Sequence, residues 1–121
     1  MSIKSNKMIY KICTRQEWQA ALELGSFQGA AVDLADGFIH FSAAHQVQQT
    51  AAKHFRGQTD LLLVAISADD LGNALKWERS RGGDLFPHLY GALKTELARW
   101  EEQLVSDHEG VPVIPGRVAP C

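Results

Sequence analysis

Three stretches of the chain carry the hydrophobic patterns that predict β-strands. Residues 8–13 and 75–80 alternate apolar and polar side chains, which is the period of a strand with one buried face. Residues 61–67 form an unbroken, β-favouring run between polar turns. Such a run predicts a central strand that is buried on both faces.

Residues 38–42 predict a fourth short strand, followed directly by a helix over residues 43–55. The alternation places Phe38, His40 and Ser42 on one face of this strand. Ser42 is then the predicted N-cap of the helix, because a serine hydroxyl at that position accepts a hydrogen bond from an early backbone N–H group.

A first helix of about ten residues is predicted by the signals at its two ends. Thr14 and Glu17 have the spacing of a capping box, and Gly25 suits the left-handed position that closes a helix. The stretch 26–37 contains two glycines and predicts a loop. Residues 94–104 fit helical spacing, yet a strand fits them as well, so the residues alone leave this element open.

Two or three helices among five or six short strands indicate an α+β fold in a single domain over residues 1–121. We expect residues 1–7 to be a frayed leader and residues 111–121, which contain three prolines, to be an extended tail. The chain has no GxGxxG, Walker, GxSxG or HExxH motif, which disfavours the common nucleotide-binding folds and hydrolases.

Composition and charge exclude several classes of protein. The 121 residues are 45% hydrophobic and 21% charged, as in an ordinary globular domain, and the net charge is −2. We therefore expect a soluble domain without intrinsic disorder, coiled coil or bulk nucleic-acid binding. The longest apolar run, residues 61–66, is far shorter than the roughly 20 residues that cross a bilayer. With no membrane segment and no signal peptide predicted, the expected compartment is a bacterial cytoplasm.

The two cysteines, Cys13 and Cys121, give no metal-binding pattern. The chain has no CxxC motif and no Cys/His cluster, so we expect no metal site. A disulfide between the two cysteines would tie down the tail, but the sequence offers no secretory context for one. Reduced thiols are therefore expected.

His40 stands in the middle of an otherwise apolar strand and has two interpretations. The simpler one is a buried histidine whose hydrogen bonds are satisfied in the core. The other is an anion site, because Ser42 lies on the same face and the backbone N–H groups of the predicted helix start follow it. A hydroxyl and such N–H groups together suit a phosphate.

His88 is the second candidate histidine, and it lies between Pro87 and Tyr90 after a Gly-Gly loop. Two histidines that face one cleft can act as acid and base near neutral pH. The alternative is a structural plug, in which Tyr90 packs on the core and His88 hydrogen-bonds a carbonyl group.

Glu78 and Ser80 share one face of the strand at residues 75–80 and lie near the same glycine loop. Glu78 is placed to polarise a hydroxyl group. The alternative is a surface ion pair with Arg79 or Arg81, of the kind that contributes little to stability.

An ordered set of motifs resembles the domain of unknown function 952 family. The resemblance covers about residues 8–105, nearly the whole domain. The motifs are IYKI, Trp18, DGFIHFS with Gln46, Thr50, Ala51 and Phe55, DLLLVAI, WERSRGG and FPHLYG.

The resemblance implies a fold and a ligand. The family is similar in fold to the ADP-ribosyltransferase superfamily, which includes RNA 2′-phosphotransferases and holds NAD or an ADP-ribosyl group on a split, mixed or antiparallel sheet. By this resemblance IHFS corresponds to the middle strand that supports the nicotinamide-ribose side. His88 or Tyr90 stands where many transferases place a glutamate, and Lys11 stands where the first strand usually offers histidine or arginine. The resemblance also favours a strand over a helix for residues 97–104.

These observations predict a cleft that binds a phosphate-bearing small molecule such as NAD or an ADP-ribose derivative, and they leave open whether the protein also acts on that molecule. The alternative is a non-catalytic ligand-sensing or protein-interaction module in which the same polar residues are structural. The sequence leaves the oligomeric state open. The candidate catalytic residues are His40, His88 and Glu78, and the candidate ligand-binding residues are Lys11, Ser42, Gln46, Ser80 and Tyr90.

Overall fold

The computed structural model describes residues 7–118, apart from the side chain of Arg81, as an α+β fold with antiparallel sheets. Its α-helices are α1 (Arg15–Leu24), α2 (Ala31–Asp36) and α3 (Val47–His54). Its strands are β1 (Met8–Thr14), β2 (Ser26–Phe27), β3 (Ile39–His40), β4 (Ser42–Ala43), β5 (Leu61–Ser67), β6 (Leu75–Arg79), β7 (Leu85–Leu89), β8 (Leu93–Lys94), β9 (Ala98–Gln103), β10 (Val105–Ser106) and β11 (Pro112–Val113). Short 3-10 segments connect several of them.

The largest sheet has the strand order β4-β1-β5-β9, with β5 at its centre. Every residue of β5 is buried, which confirms the predicted central strand. Alternate side chains of β5 enter two separate apolar clusters, one containing residues of α1 and the other residues of α3. The two longer helices therefore cover opposite faces of this sheet.

The start of α1 forms as predicted from its capping box. The Thr14 hydroxyl accepts a hydrogen bond from the Glu17 backbone N–H, and the Glu17 carboxylate accepts one from the Thr14 N–H. Gly25 closes the helix at φ 83°, a left-handed conformation that glycine adopts without steric cost. This helix is determined by local sequence signals, and its buried residues Trp18 and Ala21 then dock it on the sheet.

A second sheet has the strand order β3-β7-β6, and the chain passes from it into the large sheet at Phe41. Residues Ile39 and His40 pair with β7, whereas Ser42 and Ala43 pair with β1. Between them, the Phe41 N–H donates a hydrogen bond to the Pro87 carbonyl. The single strand predicted for residues 38–42 is therefore wrong, since it consists of two strands in different sheets.

Because the chain changes sheet at Phe41, the following helix also starts later than predicted. Because Ser42 and Ala43 are held in β4, the helix begins at Val47 rather than at residue 43, and its N-cap is Gln46. Ser42 is therefore not a helix N-cap, and the predicted anion site of Ser42 and helix N–H groups loses its structural basis.

Four further segments can be compared with their predictions. The predicted loop at residues 26–37 contains β2 and α2. Residues 98–103 form strand β9 and not a helix, as the family resemblance favoured. Residues 75–79 form β6, which confirms the strand predicted over residues 75–80 to within one residue, and His88 lies in strand β7.

The expectations for the two chain ends fall partly outside the described residues. Residues 1–6 of the predicted leader and residues 119–121 of the tail, with Cys121, are not described. Within the described part, Cys13 is a buried free thiol, and burial raises its pKa to about 12. No helix in residues 7–118 is long and apolar enough to cross a membrane.

Replacing Thr14 tests the capping box. We expect Thr14→Ala to lower the free energy of unfolding by about 1 kcal/mol, because the Glu17 backbone N–H loses the Thr14 hydroxyl as its acceptor. Urea unfolding followed by circular dichroism measures the change. Gln19→Ala, at an exposed position of the same helix, is the control and should stay within about 0.5 kcal/mol of wild type. Equal losses in both variants would refute the assignment.

Candidate functional site

A cavity of about 570 Å³ opens where the two sheets meet. Its walls come from β1, β3, β4, β7, α2, α3 and neighbouring loops. The apolar and aromatic part of the wall consists of Tyr10, Ile12, Val32, Phe41, Phe55 and Phe86. Of the residues predicted from the sequence, five line this cavity, namely Lys11, His40, Ser42, Ser80 and His88.

A buried carboxylate, that of Asp33 in α2, joins three elements beside the cavity. Lys11 Nζ in β1 lies 2.8 Å from Asp33 Oδ2 and 3.1 Å from Oδ1. His40 Nδ1 in β3 lies 2.6 Å from Asp33 Oδ1, and the His40 backbone N–H donates to the same oxygen at 3.1 Å. The Ala30 N–H donates to Oδ2 at 2.8 Å. Asp33 therefore connects β1, α2 and β3 through one side chain.

The electrostatic state of Asp33 follows from these partners. Burial alone would raise the pKa of this carboxyl, since it disfavours the charged form. The hydrogen bond with His40 and the charge of Lys11 outweigh burial and lower the pKa to about 2. The carboxylate is thus ionised at neutral pH and compensates the charge of Lys11, which is itself buried.

His40 is held between two carboxylates. Its Nδ1 faces Asp33, and its Nε2 lies 2.9 Å from Oδ2 of Asp36. Each ring nitrogen of His40 is thus within hydrogen-bond distance of a carboxylate oxygen. A ligand could contact either nitrogen only by displacing one of these carboxylates.

His88 is held differently, through one nitrogen. Its Nδ1 lies 2.8 Å from Oε1 of Glu78, and the Tyr90 hydroxyl donates to the same oxygen at 2.7 Å. Hydrogen bonds from Tyr90 and His88 lower the pKa of Glu78, and the bond to Glu78 raises the pKa of Tyr90. Glu78 and Tyr90 are not lining residues of the cavity, so they contact it only through His88.

Phe38 packs against both histidines. Its ring lies 4.1 Å from that of His88 in a stacked arrangement, 4.6 Å from that of His40 and 5.3 Å from that of Tyr90, measured between centroids. The centroids of the two imidazoles are 5.5 Å apart, and the residues are register partners across β3 and β7. The structure thus brings the two predicted histidines together.

The remaining predicted residues divide into two groups. Ser42 lines the cavity and shares a hydrogen bond of 3.0 Å with the Thr50 hydroxyl, and Ser80 lies exposed at the cavity's edge. Gln46, in contrast, is not a lining residue. Its side chain donates to Asp84 and to the Leu85 carbonyl, and it accepts from a backbone N–H. The structure does not bring Gln46 to the cavity.

Sequence reasoning missed Asp33, Asp36 and Phe38. Asp33 and Asp36 fell in the segment predicted as a loop, so no face was assigned to them. One signal points to Asp33: Lys11 interrupts a strand of apolar residues, and a lysine buried in this way requires an acidic partner. Within residues 7–118, no group of three or more His, Cys, Asp or Glu side chains is arranged to hold a metal ion.

Comparison with known families gives one match, to the family described as protein of unknown function (DUF952), over residues 12–100. No curated protein matches the chain significantly.

Solved structures of protein CC0527 from Caulobacter crescentus are similar to the chain. The crystal structure is 54% identical with a TM-score of 0.90, and the match covers 92% of this chain and 97% of that chain. The solution structure is 57% identical with a TM-score of 0.79, over 87% of this chain and 90% of that chain. At these identities the small α+β fold with split antiparallel sheets is shared with that protein.

Neutralising Asp33 tests its connecting role. We expect Asp33→Asn to lower the free energy of unfolding by about 3–5 kcal/mol, because it leaves the buried Lys11 without a counter-charge. Asp36→Asn is the matched control on the same helix, and the loss there should stay below about 1 kcal/mol since Asp36 is exposed. Urea unfolding of both variants at pH 7 measures the losses. A loss in Asp33→Asn no greater than in Asp36→Asn would contradict the proposed role.

The pH dependence of stability gives a second test of Asp33. Its pKa is about 2 in the folded protein, against an ordinary value of 3.8. The resulting stabilisation, about 2 kcal/mol, is present above pH 4 and is lost as the pH falls towards 2. Titration of the Asp33 carboxyl carbon by NMR should give a midpoint near 2, and urea unfolding should show the loss of stability. A midpoint near 3.8 would contradict the prediction.

Proposed function

The chain belongs to the DUF952 family, and we propose that it binds a phosphate-bearing small molecule, NAD or an ADP-ribose derivative, in the cavity between its four-stranded and three-stranded sheets. We also propose that its fold is related to that of the ADP-ribosyltransferase superfamily. The split antiparallel sheets support the second proposal, because a sheet of that kind is what the family resemblance implies.

The observation that carries the proposal is the cavity itself. Its volume of about 570 Å³ lies in the range of small-molecule sites, roughly 300–1,000 Å³. Such sites combine a mostly apolar wall with a few polar groups that orient the ligand. Here Tyr10, Phe41 and Phe86 offer apolar and aromatic surface suited to a planar base or a nicotinamide ring.

The polar lining suits the ribose and phosphate groups of such a molecule. The hydroxyls of Ser42, Thr50 and Ser80 donate and accept hydrogen bonds, as ribose hydroxyls and phosphate oxygens require. The imidazole of His88 adds a further polar group on the same wall. Lys11 contributes positive potential near the cavity, although its ammonium group is paired with Asp33.

A second candidate function is a non-catalytic ligand-sensing or protein-interaction module. The network of Lys11, Asp33 and His40 favours it, because these groups are bonded to one another and act structurally. The two candidates differ in whether the cavity takes a nucleotide.

Ligand binding is tested by thermal unfolding with NAD, ADP-ribose, ADP and ribose 5-phosphate. A ligand at about 100 times its Kd adds roughly 2.7 kcal/mol to the free energy of unfolding. This raises the melting temperature by several degrees in a domain of this size. No shift with any of the four compounds would overturn the proposal and favour the non-catalytic module.

Two variants on α2 locate the binding site. Val32 is exposed and lines the cavity, whereas Leu34, which is also exposed, lines a separate, smaller pocket of about 220 Å³. We expect Val32→Trp to fill the cavity and abolish the ligand-induced rise in melting temperature, and Leu34→Trp to retain it. Retention of the full rise in Val32→Trp would place the ligand outside this cavity.

A further inference from the structure

His88 is fixed on three sides within the cavity wall. It is a register partner of His40 in β3 and of Lys76 in β6, so its backbone is held by strands on both sides. Its side chain is only 7% exposed, and the Phe38 ring stacks on the imidazole at 25° between planes. The ring therefore has little freedom to turn.

The contact with Glu78 determines which nitrogen carries the hydrogen. Glu78 Oε1 also accepts the Tyr90 hydroxyl, so this carboxyl is held in its ionised, accepting form. His88 Nδ1 must then be the donor in the 2.8 Å contact. In a neutral imidazole the other nitrogen, Nε2, has no hydrogen and offers a lone pair.

Nε2 of His88 has no hydrogen-bond partner among the described residues. Every fully buried side-chain nitrogen or oxygen in the described part has a hydrogen-bond partner. Since Nε2 has none, it is not fully buried. Because His88 lines the cavity, Nε2 is the ring nitrogen that a molecule in the cavity can reach. His40, its neighbour, has both nitrogens occupied by carboxylates.

We infer that His88 Nε2 is the proton acceptor of this site, and that Glu78 is the residue that positions it. The inference rests on the proposed function and deepens it, because it requires a bound molecule with an O–H group, such as a ribose hydroxyl. The O–H bond breaks, its electron pair stays on the oxygen, and the proton forms a new bond to Nε2. The resulting imidazolium is paired with the Glu78 carboxylate.

With His88 as the proton acceptor, the two histidines have different roles. His40 lies between Asp33 and Asp36 and holds the wall together, whereas His88 has a nitrogen available for chemistry. A positioned general base of this kind typically contributes about 10²–10⁴ in rate. Tyr90 donates a hydrogen bond to the same carboxylate oxygen of Glu78 that His88 contacts.

The hydrogen on the His88 ring is measured directly by nitrogen-15 NMR of the ligand-free protein, at a pH where the ring is neutral. We expect Nδ1 to show the signal of a protonated nitrogen and Nε2 that of a bare one. In Glu78→Gln the hydrogen is expected to move towards Nε2, which is the preferred tautomer of histidine in water. A wild-type ring with its hydrogen on Nε2 would overturn the inference.

Tyr90→Phe is the matched control, because it removes the other hydrogen bond to Glu78 Oε1 and leaves the contact with His88. Its His88 signals should keep the wild-type pattern. If Glu78→Gln and Tyr90→Phe both keep that pattern, Glu78 does not position the ring. If Glu78→Gln fails to fold, the wild-type spectrum still decides the state of Nε2.

Availability of Nε2 is tested with diethyl pyrocarbonate, a small reagent that acylates unprotonated imidazole nitrogens. We expect acylation of His88 at Nε2, slower reaction in Glu78→Gln, and protection by ADP-ribose at a saturating concentration. An unreactive His88 in the free protein would overturn the inference.

The two proposals fail in different ways. A reactive, bare Nε2 in a protein that no nucleotide stabilises would overturn the proposed ligand and leave the assignment of His88 standing. A nucleotide that raises the melting temperature without protecting His88 or shifting its Nε2 signal would support the ligand and overturn the inference.

Discussion

The buried ion pair between Lys11 and Asp33 is the interaction on which the rest of the site depends. Lys11 lies in the middle of a strand whose neighbours are core residues, and Asp33 is the buried residue of α2. Moving either charge out of water is costly, so each requires the other in place. The backbone at Gly29 packs closely against Asp33 in α2, because a Cβ atom at Gly29 would lie 2.8 Å from the Cβ atom of Asp33. The position of α2, and with it one cavity wall, follows from this pair.

Two histidines of the same sheet differ in chemistry because of their carboxylate partners. His40 and His88 face each other across β3 and β7, with Phe38 against both rings. One ring meets a carboxylate at each nitrogen, and the other meets a carboxylate at one nitrogen alone. Environment, rather than residue type, therefore distinguishes the two rings, as it distinguishes paired groups in many active sites. Counting histidines in the sequence does not make this distinction.

Local signals predicted the parts of the fold that depend on local interactions. The capping box of α1 and the unbroken run of β5 were read correctly, since end groups and continuous hydrophobicity are properties of neighbouring residues. The segment around Phe41 was read wrongly, because its two halves are fixed by partners about 30 residues upstream and about 50 downstream. Asp33 was missed for a related reason, because its ion-pair partner Lys11 lies 22 residues earlier in the chain. The candidate residues lining the cavity were found, but their contacts required the tertiary structure.

The chain changes sheet at Phe41, and Phe41 itself lines the cavity. His40 lies before this change in the small sheet and Ser42 after it in the large one, and both line the same cavity. Apolar residues alone would close such a cavity by packing, as they do in the two core clusters. Here the lining also contains polar groups that are held in place by hydrogen bonds and strand register, and the proposed ligand would form its hydrogen bonds with these groups.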